Sequence, residues 1–179
     1  TDYTDVDSGD WFYDGAAYVT EHKLVSGEEP YVFGGGEVIT RAEAAQAIYN
    51  LAGQPDCTMT TQFSDVDERS QKRDGISWVA QQGIMRGISA SVFAPDRPLT
   101  RGMFATILAR YAKLQGKDMT PSVDLSKFLD AATIPNAYAE GISWCAATGI
   151  VKGRADGTFA SQASLTRAHL SVMLMRFAQ

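Results

Sequence analysis

Ile39-Thr40-Arg41, Leu99-Thr100-Arg101 and Leu165-Thr166-Arg167 are one short phrase written three times, each opening an apolar run with helical spacing. Counting back from each Arg, further positions fall into register. A Phe stands eight residues before (Phe33, Phe93, Phe159), a Gly fourteen before (Gly27, Gly87, Gly153) and a large aromatic twenty-three before (Tyr18, Trp78, Trp144). An Asp lies 36, 36 and 37 residues before (Asp5, Asp65, Asp130), with an aromatic two residues ahead of it (Tyr3, Phe63, Phe128). Six positions kept through three copies define a tandem repeat, and the fold has to be built from it.

Each copy reads as a helix, an irregular turn region and a second helix. Thr40, Thr100 and Thr166 suit the N-cap of the second helix, because a hydroxyl there accepts from an orphan amide of the first turn. Thr40 with Glu43 makes a capping box, whose reciprocal half Met103 and His169 cannot reproduce. Apolar stripes follow at helical spacing: Ala44, Ala47, Ile48, Leu51; Phe104, Ile107, Leu108, Tyr111; Leu170, Met173, Leu174, Phe177. The first helices are expected near Trp11–His22, Gln71–Gln82 and Asn136–Thr148, the third opened by Pro135. Gly83 and Gly149 suit left-handed C-terminal positions, where the first copy has His22-Lys23. Turn chemistry lies between the helices at Gly34-Gly35-Gly36, Ala94-Pro95-Asp96 and Arg154-Ala155-Asp156-Gly157.

The three Arg positions lie 60 and 66 residues apart. A piece of about 60 residues is marginal alone, since it buries only about 60% of its unfolded surface. One composite domain over residues 1–179 is therefore expected, with copies at 1–53, 61–115 and 124–179 meeting around a pseudo-threefold axis. Sixteen basic and 21 acidic residues give a net charge of −5 without any Lys/Arg run, which argues against a nucleic-acid reader. No stretch approaches 18 consecutive apolar residues, so no membrane span is expected. The stretch opens Thr-Asp-Tyr-Thr-Asp; a secretion signal would have been removed or lie outside it. Cys57 and Cys145 form no disulfide framework, and Cys145, directly after Trp144, reads as an inert buried thiol.

The repeated Arg directly follows the N-cap, where the helix macrodipole is already positive. Keeping a cation there three times calls for an anionic neighbour. Asp5, Asp65 and Asp130 are candidate internal partners; an anionic ligand is the other reading, since a guanidinium fork matches a carboxylate. Trp78 and Trp144 sit among apolar neighbours and read as core, although a flat aromatic beside an Arg is also what a sugar site needs. Gly27, Gly87 and Gly153 read as backbone necessities that could let a ligand lie against the main chain. The Phe series reads as core. Asp5-Val6-Asp7-Ser8-Gly9-Asp10 departs from a calcium loop, with Gly at the fifth position and Ala16 at the twelfth. No metal ligands or cofactor are assigned. The histidines His22 and His169 fit no catalytic motif, His169 reading as a solvated first-turn side chain, so no enzyme is expected.

The combination of Asp-Val, an aromatic helix, Gly, a Gly-x-Phe-like turn and Leu/Ile-Thr-Arg-Ala-Glu resembles the S-layer homology repeat. Copy one is complete (Ile39-Thr40-Arg41-Ala42-Glu43); copies two and three read Leu99-Thr100-Arg101-Gly102-Met103 and Leu165-Thr166-Arg167-Ala168-His169. The resemblance spans roughly Tyr3 to Gln179. It implies a mainly α fold, three helix–loop–helix repeats in a prism around a central three-helix bundle. It also implies grooves between neighbouring copies that hold a secondary cell-wall polysaccharide linked to peptidoglycan, often pyruvylated. Carried onto this sequence, groove one pairs Arg41 with Trp78, groove two Arg101 with Trp144, and groove three Arg167 with Tyr18. The glycine and Asp series stand as further candidate contacts. The expected setting is extracellular, at a bacterial cell wall or S-layer, with effector domains attached outside this stretch. A protein-binding adhesion or assembly scaffold and a wall-active enzyme are the competing readings.

Overall fold

The computed structural model describes residues 2–57 and 62–179. The first helices of the copies are α1 (Tyr13–Glu21), α3 (Arg73–Gln81) and α5 (Asn136–Ala147). The second helices are α2 (Arg41–Leu51), α4 (Arg101–Leu114) and α6 (Arg167–Ala178). Two 3-10 turns, Leu125–Lys127 and Ala131–Thr133, precede α5. The described residues thus form a mainly helical protein whose only β pairing is a set of isolated bridges. None of these helices is long and apolar enough to cross a membrane.

The repeated Thr residues start the second helices as expected. Thr40 accepts from the amide of Glu43 at 3.2 Å while Glu43 Oε2 takes the Thr40 amide at 2.8 Å, a full capping box. Thr100 and Thr166 accept from the amides of Met103 and His169. The first helices start less sharply. N-caps Phe12 and Lys72 offer no capping side chain, and chain turns closed by Asp10 and Ser70 carbonyls delay α1 and α3 by two residues. At the far ends Gly83 (φ +70°) and Gly149 (φ +78°) take the left-handed conformation, and Lys23 takes it too (φ +55°) where copy one lacks glycine.

A closed ring of main-chain hydrogen bonds marks the pseudo-threefold axis. The amide of Ile39 donates to Leu165 O (2.9 Å), that of Leu165 to Leu99 O (2.9 Å), and that of Leu99 to Ile39 O (3.0 Å). All three side chains are buried. Beyond the ring, each second helix inserts its N-terminus into the turn of the next copy. Amides of Arg41 and Ala42 reach Arg97 and Pro95 carbonyls; those of Arg101 and Gly102 reach Ala163 and Ser161; those of Arg167 and Ala168 reach Glu37 and Gly35. Amides that a helix N-terminus leaves orphaned are thus satisfied by a neighbour.

Helix packing also crosses between copies. The second helices meet through side chains, with the ring of Tyr111 5.6 Å from that of Phe177. The tightest helix pairs, however, are α2 with α3, α4 with α5 and α6 with α1, each joining one copy to the next. Glycines 26 residues before each Arg permit this closeness. A Cβ on Gly15 would lie 2.9 Å from Val172 N, on Gly75 3.2 Å from Gln46 Cα, and on Gly141 2.7 Å from Thr106 Cα. Phe33, Phe93 and Phe159 are fully buried, and core residues of all three copies belong to one contiguous cluster. Cys145 is a buried thiol, its pKa pushed up to about 12 by burial.

Candidate functional site

The Arg side chains cross into the next copy, as the helix N-termini do. Arg41 Nε donates to Phe93 O at 2.8 Å and its Nη2 to Arg86 O at 2.6 Å, while the guanidinium lies 4.5 Å from the Phe93 ring centre. Arg101 Nη2 donates to Lys152 O at 3.2 Å and lies 5.4 Å from the Phe159 ring centre. Arg167 Nη1 donates to Phe33 O (2.9 Å) and Gly34 O (3.0 Å). Carbonyl dipoles and aromatic faces therefore meet cations that the helix dipole disfavours.

The Asp series does not pair with these arginines. Both oxygens of each carboxylate instead take main-chain amides of the turn: Phe33 and Gly34 for Asp5, Phe93 and Ala94 for Asp65, Phe159 and Ala160 for Asp130, at 2.7–2.9 Å. Burial works against these charges, yet the amides outweigh it and hold all three below the usual carboxylate range. The second residue of each pair is left-handed (Gly34 +66°, Ala94 +59°, Ala160 +57°), so charge-assisted bonds offset the strain at the two alanines. Gly27, Gly87 and Gly153 are close-approach glycines: a Cβ would sit within 2.7 Å of the rings of Tyr3, Phe63 and Phe128 respectively.

Three grooves run along the seams, one per Arg, and all three copies contribute to each. The first, about 320 Å³, brings Arg41 together with Arg86, Arg97 and Arg110, with Tyr138 of α5 on its rim. The second, about 240 Å³, brings Arg101 together with Lys152, Arg154 and Arg176, with Trp11 and His169. The third, about 540 Å³, holds Arg167 and Lys72 among Glu28, Glu37, Glu43 and Asp96. Grooves one and two carry four Lys or Arg residues and no acidic one; groove three carries more acid than base.

Arg101 is the most telling group. It is only 6% exposed, and its buried Nε–H meets no acceptor among the described residues. Burial, then the cation of Arg154, depresses its pKa, and burial, then Arg97, does the same for Arg41. Neither Arg41 nor Arg101 has an ion-pair partner among the described residues; buried charge held only by carbonyls and ring faces is costly, and an anion entering the groove relieves it. Trp11 is 62% exposed, its ring 4.9 Å from that of His169, and gives groove two an apolar wall.

Burial of Trp78 and Trp144 agrees with their reading as core and departs from the groove pairing that the resemblance implied, and Tyr18 and His169 also lie elsewhere than expected. Trp78 and Trp144 are 6% and 4% exposed: Trp78 packs on Tyr49 and Tyr111, while Trp144 packs on Phe177 and donates its Nε1–H to Asp118 O. They serve the core, and the aromatics lining the first two grooves are Tyr138 and Trp11. Tyr18 stacks on His22, one turn along its own helix, at 4.0 Å. His169 is half-buried, not solvated: its Nδ1 lies 2.7 Å from Thr166 Oγ1. Burial, with Arg101 and Arg154 nearby, pushes its pKa down to about 4. The basic walls themselves were readable in register. Nine residues after the Arg stand Asn50, Arg110 and Arg176, and fifteen before it Ser26, Arg86 and Lys152.

Comparison with known proteins settles the family. The S-layer homology domain matches three times, over residues 2–45, 62–105 and 127–170. This chain belongs to the S-layer homology family. A surface-layer 125 kDa protein of Lysinibacillus sphaericus is 31% identical over 156 residues, which are 86% of this chain and 13% of that protein. A cellulosome-anchoring protein of Acetivibrio thermocellus is 30% identical over 77% of this chain and 31% of its own length. An endoglucanase of Bacillus sp. strain KSM-635 is 30% identical over 64% of this chain and 11% of its own length. The chain thus spans less than a third of each of these relatives.

Proposed function

We propose that this chain is a noncovalent cell-wall anchor that holds a secondary cell-wall polysaccharide in grooves one and two. The ligand's anionic group, a ketal-linked pyruvyl carboxylate on N-acetylmannosamine, meets Arg41 and Arg101. The buried Arg101 guanidinium, short of an acceptor and surrounded by three further cations, is the observation that carries this reading. A carboxylate supplies both the charge and the bidentate acceptor. Trp11 and Tyr138 supply the apolar faces against which a sugar ring packs. The names of the relatives agree: a surface-layer protein and a cellulosome-anchoring protein share this stretch, as does an endoglucanase whose named catalysis is not carried over. The anchor performs no chemical step. It acts outside the cell, on the wall, and its cargo is whatever is joined to it.

Single substitutions Arg41→Ala and Arg101→Ala test this. Each removes charge-assisted hydrogen bonds worth about 1.5–3 kcal/mol, or roughly 10- to 150-fold in affinity for a defined pyruvylated saccharide measured by calorimetry. Circular dichroism melts run in parallel separate lost binding from lost folding. Parent-like affinity in both variants at parent-like stability would sink the anionic-ligand reading.

A further inference from the structure

Groove three inverts the electrostatics of the other two, and one register position explains most of the inversion. The residue two after each Arg lies in the first turn of its helix and faces the Arg of the preceding copy. Met103 lines the groove of Arg41, His169 that of Arg101, and Glu43 that of Arg167. Only in groove three is this residue a carboxylate, and it already occupies the cation: Glu43 Oε1 lies 3.4 Å from Arg167 Nη2. Its other oxygen is pinned at 2.8 Å by the Thr40 amide, so it cannot swing aside without opening the capping box. Glu28 lines the same groove. A Cβ built on Gly34 would lie 2.6 Å from Arg167 Nη1 and 2.8 Å from Glu28 Oε2, so these groups converge on one point. Grooves one and two place basic side chains at the two further wall positions, whereas groove three has Ser26 and Asn50. Arg167 is the one Arg of the series with an ion-pair partner among the described residues.

Resting on the anionic-ligand reading above, the geometry points to Glu43 as an internal anion that closes groove three to carboxylate-bearing glycan. The chain then holds its wall polymer at two sites, not three, and the residue two after each Arg determines which seams accept an anion. An incoming carboxylate would have to displace Glu43 from Arg167 and settle among like charges, with no Lys or Arg at those two wall positions to compensate. The family phrase is complete only in copy one, and the Glu that completes it disables the seam in which it lies. In copies two and three the departures to Met103 and His169 leave the facing Arg available.

Arginine Nε–Hε signals, followed by NMR during titration with the methyl glycoside of pyruvylated N-acetylmannosamine, test this. In the parent, Arg41 and Arg101 should shift and Arg167 should not, with calorimetry giving two sites. In the Glu28→Gln/Glu43→Gln double variant the side-chain carbonyl introduced at position 43 can still accept the Thr40 amide, so the cap is retained. Arg167 should then respond and the stoichiometry rise to three. Arg167 shifting in the parent beside the other two, or staying silent in the variant while they respond, overturns the proposal. If no arginine responds to the saccharide, the assigned glycan is wrong instead. Sodium pyruvate is then the titrant, and Arg167 responding in the variant but not in the parent supports the gate, any other pattern overturning it.

Discussion

Gly141→Ala probes the contact on which both fold and groove depend. The added Cβ would sit 2.7 Å from Thr106 Cα and 3.1 Å from Thr106 N, both main-chain atoms of α4 that no rotamer change can move. Reaching ordinary van der Waals separation of about 3.5 Å requires α5 and α4 to part by roughly 0.7–1 Å. Overpacking of this size costs about 1–3 kcal/mol, and replacing Gly by Ala within a helix returns about 0.8–1 kcal/mol. The net loss is therefore about 0–2 kcal/mol, a melting temperature lower by up to roughly 8 °C for a chain of this length. Function should follow, because α4 supplies Met103, Thr106 and Arg110 to groove one while α5 supplies Tyr138. Gly36→Ala is the control: a Cβ there meets nothing within 4 Å, and stability should hold or rise slightly. Differential scanning calorimetry on both variants decides the matter. A Gly141→Ala protein melting above the parent would refute the claim that copies are joined through these glycine crossings.

Two further outcomes are expected. Burial and two arginines hold His169 well below its ordinary 6.5, at about 4, so the fold favours its neutral form. The unfolded chain takes up the proton first, so this contribution is intact above pH 6.5 and is lost as pH falls toward 4. After allowance for solvent screening of a half-exposed ring, the loss is about 1–2 kcal/mol. Urea titrations between about pH 7 and 4, spanning that window, should show a shallower decline for His169→Met than for the parent, and parallel declines would contradict it. Separately, an isolated copy spanning residues 63–115 should lack a cooperative thermal transition, because α3 loses α2 and α4 loses α5; a sharp melt would show that the copies fold independently.

Much of this molecule is legible in its sequence because threefold repetition multiplies weak signals. A Thr before an apolar run is a common helix start; three in register, with Phe, Gly and Asp at fixed offsets, specify the second helices and the turn that receives them. The groove pairing of the aromatics, carried over from the family resemblance, is where repetition misleads, although their apolar neighbours already read as core. Trp78 and Trp144 share a register position with Tyr18, yet register does not say whether a side chain points inward or outward, and their apolar neighbours draw both indoles into the core. Trp11, exposed in groove two, has no aromatic counterpart at Gln71 or Ala137, so repetition does not mark it. Gly15, Gly75 and Gly141 obey the register and could have been found. The cross-copy swap of helix partners could not, since which helix packs on which depends on the hydrogen-bonded ring at the axis. The differences among grooves lie where the copies disagree: Glu43 against Met103 and His169, Asn50 against Arg110 and Arg176.

Binding to whole walls, before and after chemical removal of the secondary polymer, tests the anchor most directly. Purified Gram-positive walls bearing pyruvylated polymer should sediment the parent chain, and the Arg41→Ala/Arg101→Ala double variant should stay in the supernatant at equal thermal stability. Stripping the polymer while leaving peptidoglycan intact should abolish sedimentation of the parent. If the parent still sediments with stripped walls, or the double variant sediments with intact walls as the parent does, the wall anchor described here does not work through an anionic glycan held by its cationic grooves.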